Sequence, residues 1–306
     1  VDATTAGVEG LTISTGTGTV SLPVVGGTTP LDFLTITTDG ATTLAGNIFT
    51  VNAIDMSAAT VGITITADRI INSTAGSIDL SGSGVLRTAA IDDLDIGSAA
   101  TTTVRLAALG TGAEPLGSVD IISTAGTTLT GDINTVDDVA VTGDTIVGDD
   151  NVTIATGGAA GNDITLATID DDANATRRIL SLNAGAAGDV SIGEVGSLRP
   201  LGTLDIDAQD LALNGNVTAG SAAVDGVTGA VTLAANVDIT VDNSAVNFGA
   251  ATIDGARDFG IFAGTGAVSL PATGATTALT EVDIVSGSFA GTTIDTGGAA
   301  GAAARF

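Results

Sequence analysis

Residues 29–47 read TPLDFLTITTDGATTLAGN, and two later stretches follow the same pattern. They are EPLGSVDIISTAGTTLTGD at 114–132 and RPLGTLDIDAQDLALNGN at 199–216. The Pro-Leu steps begin at Pro30, Pro115 and Pro200, which are evenly spaced, and the columns after each step align. Aligned columns at near-constant spacing indicate an internal repeat, which is the feature that decides the fold.

The repeat divides the chain into units of ~85 residues, approximately 1–84, 85–168, 169–252 and a partial 253–306, in which Ala278 stands in place of the proline. Aliphatic residues recur at fixed offsets after the Pro-Leu step, and we expect them to fill the interior. This structural core set is Leu31, Leu34, Ile36, Leu116, Val119, Ile121, Leu201, Leu204 and Ile206.

Each unit contains several short apolar–polar–apolar runs, such as Leu34-Thr35-Ile36 and Ile63-Thr64-Ile65, separated by Gly, Asn, Asp and Thr. Such alternation is typical of strands with one buried face. A β-sandwich also has strands every ~8–12 residues, but it has no reason to repeat every ~85 residues without linkers. The sequence therefore predicts an all-β fold, a single continuous parallel β-helix (β-solenoid) over 1–306. At ~20 residues per turn it has about four turns per unit and about 15 rungs.

The composition suits a narrow core and limits the classes of partner. The chain is 44% hydrophobic but only 2% aromatic, so Val, Ile, Leu and Ala supply the core. Its formal net charge is −27 and it contains no His or Cys. We therefore expect no nucleic-acid binding, since few cations are present to neutralise phosphates, and no disulfide, thiolate metal site or imidazole base. No apolar run is long enough to predict membrane insertion.

The stretch LTISTGTGTVSLPVVGGTTPLDFLTITTDGATTLAGN at 11–47 resembles the repeats of filamentous-haemagglutinin-type bacterial surface proteins. The resemblance covers nearly the whole chain and concerns the style of the repeat. It implies a right-handed parallel β-helix, an extracellular or cell-surface location, and a role as an adhesin or fibre. The chain departs from such proteins in having no Lys and no Tyr, and no secretion domain is recognisable at its N-terminus.

The two ends of the sequence do not read as caps, because Val1 begins in phase with Ile253 and the C-terminal residues stop inside the repeat. Two interpretations stay open: a window of a longer array, or a subunit that stacks end to end on further copies. The function expected is an extracellular structural fibre subunit or adhesin stalk, not an enzyme, with self-association and a cell-surface or matrix partner. The alternatives are a calcium- or glycan-binding segment of a surface adhesin and a secreted polysaccharide lyase or hydrolase.

One stretch points to calcium as a candidate ligand. GGAAGNDITL at 157–166 resembles the nonapeptide motif of calcium-binding β-rolls with one extra residue, and GDDNVTI lies just before it. Calcium prefers oxygen ligands, which turn residues with carboxylate or amide side chains provide. The candidate ligands are Asp149, Asp150, Asn162 and Asp163; the alternative is that they are solvated turn residues. No other cofactor is expected.

Two further kinds of site are open to prediction. Paired carboxylates serve polysaccharide hydrolysis, and the clusters in question are Asp92 with Asp93, and Asp170, Asp171 and Asp172 with Arg177 and Arg178. Sugar subsites normally also need aromatic platforms, and Trp and Tyr are absent. Sequons for N-glycosylation occur at Asn72, Asn151, Asn174 and Asn216, about the number that chance gives in a Thr-rich chain.

Overall fold

A computed structural model describes residues 1–87, 92–148, 151–172, 176–249, 251–291, 293–297 and 303–305. Within it the chain divides into two compact units, Val1–Gly148 (unit 1) and Asp149–Phe306 (unit 2). Each unit is described by itself.

The described residues form 32 strands and no helix, and the strand pairings within each unit are parallel. Val, Ile, Leu and Thr dominate these strands, and glycines with positive φ occur between many of them. Parallel strands stacked in this way, each pairing with the strand one turn earlier, form a β-solenoid, which confirms the predicted fold class.

Unit 1 is built from three stacks of parallel strands, and each turn of the chain visits them in the order 1a, 1b, 1c. Stack 1a contains β1 (Leu11–Thr15), β3 (Leu34–Thr38), β6 (Ile54–Ala59), β9 (Ile78–Leu80), β12 (Val104–Leu106), β14 (Thr127–Leu129) and the second half of β16 (Val139–Val147). Stack 1b contains β2 (Val20–Leu22), β4 (Thr42–Leu44), β7 (Ile63–Ile65), β10 (Val85–Arg87) and β15 (Ile133–Asn134), with Leu109 bridging the last two. Stack 1c contains Val25, β5 (Ile48–Thr50), β8 (Arg69–Ser73), β11 (Leu94–Gly97), β13 (Val119–Ile122) and the first half of β16.

Unit 2 has the same three-stack organisation. Stack 2a contains the first half of β18 (Ile164–Asp171), β20 (Val190–Ile192), β22 (Leu211–Leu213), β24 (Ala230–Leu233), β27 (Thr252–Asp254) and the bridging residues Thr273 and Ile294. Stack 2b contains Ile169, Val195, the first half of β23 (Val217–Val227), β25 (Val237–Val241), β28 (Asp258–Phe262), β30 (Glu281–Val285) and β32 (Ala303–Arg305). Stack 2c contains β17 (Val152–Ala155), β19 (Ile179–Asn183), β21 (Leu201–Ala208), the second half of β23, β26 (Val246–Asn247), β29 (Ala267–Leu270) and β31 (Ser288–Gly291).

The core of each unit consists of columns of aliphatic side chains, because every second residue of a strand points inward. Ile121 is completely buried and is the register partner of Ile96 on one side and Val141 on the other. The nine residues that the repeat places in the interior are all buried, with exposures of 0–3%. Aromatic side chains contribute little: Phe248 and Phe259 meet edge to face with ring centroids 6.0 Å apart.

The length of one turn follows from the register, and it varies. One turn is the stretch of chain between a residue and its register partner in the next strand. Successive partners in stack 1a are residues 11, 34, 54, 78, 104 and 127. The shortest of these turns runs from Leu34 to Ile54, and the longest runs from Ile78 to Val104. In stack 2c, residues 152, 180, 204, 222 and 246 pair in succession, and the turns vary still more. Most turns are longer than the sequence predicts. The described strands of the two units therefore make about 12 turns in total, where a shorter turn predicts about 15.

The sequence repeat does not contain a whole number of turns. Val25 lies in stack 1c, and its equivalent Leu109 lies in stack 1b, three and two-thirds turns later. In unit 2, Val195 lies in stack 2b and its equivalent Thr273 lies in stack 2a, again three and two-thirds turns later. Equivalent residues of successive copies thus occupy different stacks. Residues that align in the sequence repeat are therefore not the residues that stack on one another in the core.

Candidate functional site

The feature that recurs in all four copies is a loop that leaves a strand ladder and then returns to it, which we call the repeat loop. In the first copy, Val25 before the loop pairs with Ile48, and Leu31 after the loop pairs with Thr50. The four repeat loops, counted from the residue after the last ladder residue, comprise residues 26–30, 110–115, 196–200 and 274–278.

Each repeat loop has a glycine with positive φ, and the four values lie between 64° and 75°: Gly26, Gly110, Gly196 and Gly274. A Cβ at any of the four would overlap a backbone carbonyl oxygen of the next turn. Only glycine therefore fits at these four positions.

The same backbone hydrogen bond ties each repeat loop to the preceding turn. The N–H groups of the four glycines donate to the carbonyl oxygens of Val1, Val85, Ile169 and Ile253, over 2.6–2.8 Å. These four acceptors are themselves evenly spaced in the sequence. The repeat seen in the sequence therefore encodes a loop with a fixed base.

In three of the four copies, an aspartate one residue after that acceptor holds the loop, and we call it the aspartate brace. Oδ1 of Asp2 accepts the N–H of Thr28 at 2.9 Å, and Oδ1 of Asp254 accepts those of Thr276 and Thr277 at 2.7 and 3.0 Å. The backbone N–H of Thr28 is the main reason why the pKa of Asp2 is lowered from its ordinary value. A carboxylate that accepts backbone N–H groups is stabilised in its charged form.

The third brace is Asp170, whose Oδ1 accepts the N–H groups of Leu198 and Arg199, both at 2.9 Å. The remaining copy has Leu86 in the place of the aspartate. There the loop closes on itself, because Thr111 and Glu114 exchange backbone hydrogen bonds of 3.0 and 3.1 Å.

The tips of the repeat loops differ although their bases agree. The exposed tip residues are Thr28 in the first loop, Glu114 in the second, Leu198 in the third and Thr276 in the fourth. Leu198 is 80% exposed, more than any other large apolar side chain of the described residues. A constant base with a variable tip is an arrangement that presents different chemistry from one scaffold.

The predicted calcium ligands are only partly described. Asn162 is buried, and its carbonyl oxygen accepts the Thr156 hydroxyl at 2.8 Å. Asp163 uses Oδ1 to accept the N–H of Asp189 at 2.9 Å. Asp149 and Asp150 lie outside the described residues. Within the described ranges, no three acidic side chains are grouped as metal ligands.

Asp163 is also the first member of a column of aspartates along stack 2a. Asp189 accepts the N–H of Asp210 at 3.2 Å, and Asp210 accepts the N–H of Ala230 at 2.6 Å. These three side chains line a groove of about 280 Å³ together with Ser191. Burial raises the pKa of Asp189, and the charges of Asp163 and Asp210 add to the effect, although the N–H of Asp210 opposes it.

The carboxylates considered for catalysis have structural partners. Asp170 is the brace of the third loop, as described above. Its neighbour Asp171 accepts the N–H groups of Asp172 and Arg178 at 2.8 and 2.7 Å. Arg178 lies 3.9 Å from the carboxylate of Asp172. Arg177 forms an ion pair with Asp242.

In the other cluster, Asp92 is buried, and Asp93 accepts the N–H of Ser118 at 2.7 Å. Both clusters thus hold neighbouring turns together. The expectation that the chain is not an enzyme stays a prediction.

Three of the four sequons lie in described residues. The side-chain oxygens of Asn151 and Asn216 accept backbone N–H groups of the next turn, from Ile179 at 2.9 Å and Asp238 at 2.8 Å. Asn72 lies within β8 and is half-buried. Asn174 lies outside the described residues.

In the described part of the chain, no helix is both long and apolar enough to span a membrane. In comparisons with known proteins, no family model matches the chain, no curated protein is significantly similar to it, and no solved structure matches it. The β-solenoid fold is consistent with the resemblance to filamentous-haemagglutinin-type repeats, but no match confirms that family.

Sequence reasoning missed the role of the aspartate braces, although it singled out Asp170 as a possible catalytic carboxylate. The signal was present, because VDATTAG, IDDDANA and IDGARD are matching segments of three copies. Their shared aspartate is a repeat column. Its partner could not be found in this way, because the N–H groups it accepts belong to residues 22 to 29 positions later.

Proposed function

We propose that this chain is part of an extracellular structural β-solenoid, either a surface fibre or the stalk of a large adhesin. It spans distance and resists proteolysis, and it does not turn over a substrate. The observation that carries the proposal is the repeat loop: four loops interrupt the strand ladders, and each is hydrogen-bonded to the preceding turn at its glycine.

Proteases cut segments that open locally, and segments with few buried contacts and few hydrogen bonds open most easily. The exposed tips of the repeat loops are the kind of segment that such attack favours. Their glycine anchors, and the braces in three copies, hydrogen-bond these loops to neighbouring turns. This arrangement suits a protein that must persist outside the cell.

The open edge of unit 1 supports end-to-end association. Among the described residues β1 pairs only with β3, and its inward residues Leu11 and Ile13 are half-exposed, whereas Leu34 and Ile36 are fully buried. A further solenoid turn placed against β1 would continue the ladder and cover these side chains. That turn comes from the same polypeptide or from another copy. A cell-surface or matrix partner would bind at a different place along the fibre.

Electron microscopy combined with sedimentation tests this proposal. We expect end-to-end rows of particles at high protein concentration, and we expect Ile13→Lys to abolish them. Val61→Lys is the matched control, because Val61 is 60% exposed and lies outside β1. Particles that stay single at all concentrations, or rows that survive Ile13→Lys, would contradict end-to-end association. Rapid cleavage in the repeat loops by a broad-specificity protease would contradict the structural role itself.

A further inference from the structure

The ladder between β21 and β23 contains an irregularity that brings three carboxylates together. Asp205 pairs with Ala223 and Asp207 pairs with Gly226, so two steps on β21 correspond to three on β23. The extra residue makes a β-bulge, which disrupts the ladder locally. Asp225 is at this bulge, next to Gly226, and Asp205 and Asp207 lie on the same face of β21. We call these three residues the bulge carboxylates.

Asp207 occupies the space that a side chain at position 226 would need. A Cβ built on Gly226 would overlap Oδ1 of Asp207. The carboxylate therefore lies directly over the backbone of the bulge. Asp207 and Asp225 are exposed and Asp205 is half-buried. Partial burial of the carboxylate raises the pKa of Asp207, and the charges of Asp205 and Asp225 raise it further.

Among the described residues of the neighbouring strands β19 and β26, the side chains placed beside this cluster are neutral. From β19, Asn183 is the register partner of Asp207, and the Ser181 hydroxyl donates to Asp205 over 3.4 Å. From β26, Asn247 pairs beside the bulge, and its side-chain oxygen accepts the N–H of Gly249 at 3.1 Å. The cluster therefore combines like charges with neighbours that cannot neutralise them.

We propose that the bulge carboxylates form an acid-responsive clamp between two turns of the solenoid. When all three are ionised, Asp205 and Asp207 of one turn repel Asp225 of the next. When Asp207 takes up a proton, its hydroxyl can donate to a neighbouring carboxylate oxygen, and repulsion becomes a hydrogen bond. The two turns then hold together more tightly, and the folded chain resists unfolding better when Asp207 is protonated than when it is ionised.

The direction of the pH dependence follows from proton linkage. The pKa of Asp207 is higher in the folded chain than its ordinary value of 3.8, so the folded state binds the proton more readily than the unfolded state. Stability therefore rises as the pH falls through the raised pKa. The gain is complete below the ordinary value and is absent at neutral pH.

Two measurements on the full chain test the clamp. In a carbon-13 NMR titration of the carboxyl groups, we expect Asp207 to titrate above its ordinary value. In thermal unfolding at constant ionic strength, we expect Asp207→Asn to raise Tm at pH 7.5 by on the order of 2 °C, because the amide removes a charge and donates a hydrogen bond. The Tm of the variant should then change less than that of the parent between pH 7.5 and a pH just below the ordinary value of 3.8.

The control is Asp39→Asn, which removes one charge from an exposed aspartate outside the cluster. It should leave the slope of Tm with pH unchanged. The proposal is overturned if Asp207 titrates at or below its ordinary value. It is also overturned if Asp207→Asn keeps the parent slope, or if Asp39→Asn flattens the slope equally, since the effect would then be one of net charge.

Discussion

Replacing Gly110 by alanine tests whether the base of the repeat loop is as constrained as the structure indicates. Gly110 has φ of 64°, a conformation that costs an L-residue about 1–2 kcal/mol. The new Cβ would overlap the carbonyl oxygen of Asn134 and lie 2.9 Å from the backbone nitrogen of Leu116. The loop must therefore shift, which weakens the 2.8 Å hydrogen bond from Gly110 to Val85, worth about 1 kcal/mol.

Together these effects predict a loss of roughly 2–3 kcal/mol, or a fall in Tm of roughly 5–10 °C. Gly112→Ala is the matched control, because Gly112 lies in the same loop, is exposed, and has nothing within 4 Å of its built Cβ. Its effect should stay within about 0.5 kcal/mol. Urea unfolding followed by circular dichroism measures both variants. Equal midpoints for the two would refute the account of the loop base.

Three further substitutions test the core, one aspartate brace, and the register pair of Asp95 and Asp120. Ile121→Asp places a charge in the completely buried column of stack 1c, and we expect more than about 3 kcal/mol of destabilisation in urea unfolding; a variant that unfolds with the parent would disprove the inward assignment. Asp254→Ala leaves two N–H groups of the fourth loop without their acceptor, and should cost about 1–3 kcal/mol and speed amide exchange at Thr276; unchanged exchange there would argue against a bracing role. Burial and the charge of Asp120, its register partner, raise the pKa of Asp95, so Asp95→Asn should stabilise the chain at pH 7 but not below its ordinary value of 3.8; equal stabilisation at both pH values would show that stacking is not the cause.

The sequence was sufficient for the fold class, because alternation in runs such as Leu34-Thr35-Ile36 leaves little choice of inward face. It was not sufficient for the length of a turn, because turns lengthen or shorten with the loops between strands. The turn from Val152 to its partner Leu180 is much longer than the turn from Leu204 to Ala222. Because these differences average out, the sequence repeat stays regular while the turn does not.

The candidate site, like the fold, was only partly predictable from the sequence. Asp163 was singled out as a possible calcium ligand and Asp170 as a possible catalytic carboxylate, and both accept backbone N–H groups from the next turn. A single sequence shows which residues occupy turns, but it does not show which donors of the following turn will face them. The bulge at Asp225 left no trace in the pattern either, because an inserted residue in a Gly- and Ala-rich strand resembles ordinary variation.

The fractional number of turns per repeat decides the direction in which the loop tips point. In unit 1 the first and second tips leave from different sides of the solenoid, and the same holds for the third and fourth in unit 2. A flat neighbour resting along one side of either unit would touch only one of its two tips. The exposed Leu198 and the threonines of the fourth loop thus lie on different sides of unit 2. An array built on this plan is suited to meeting its surroundings from several sides at once, where a whole-number repeat would display every tip along a single line.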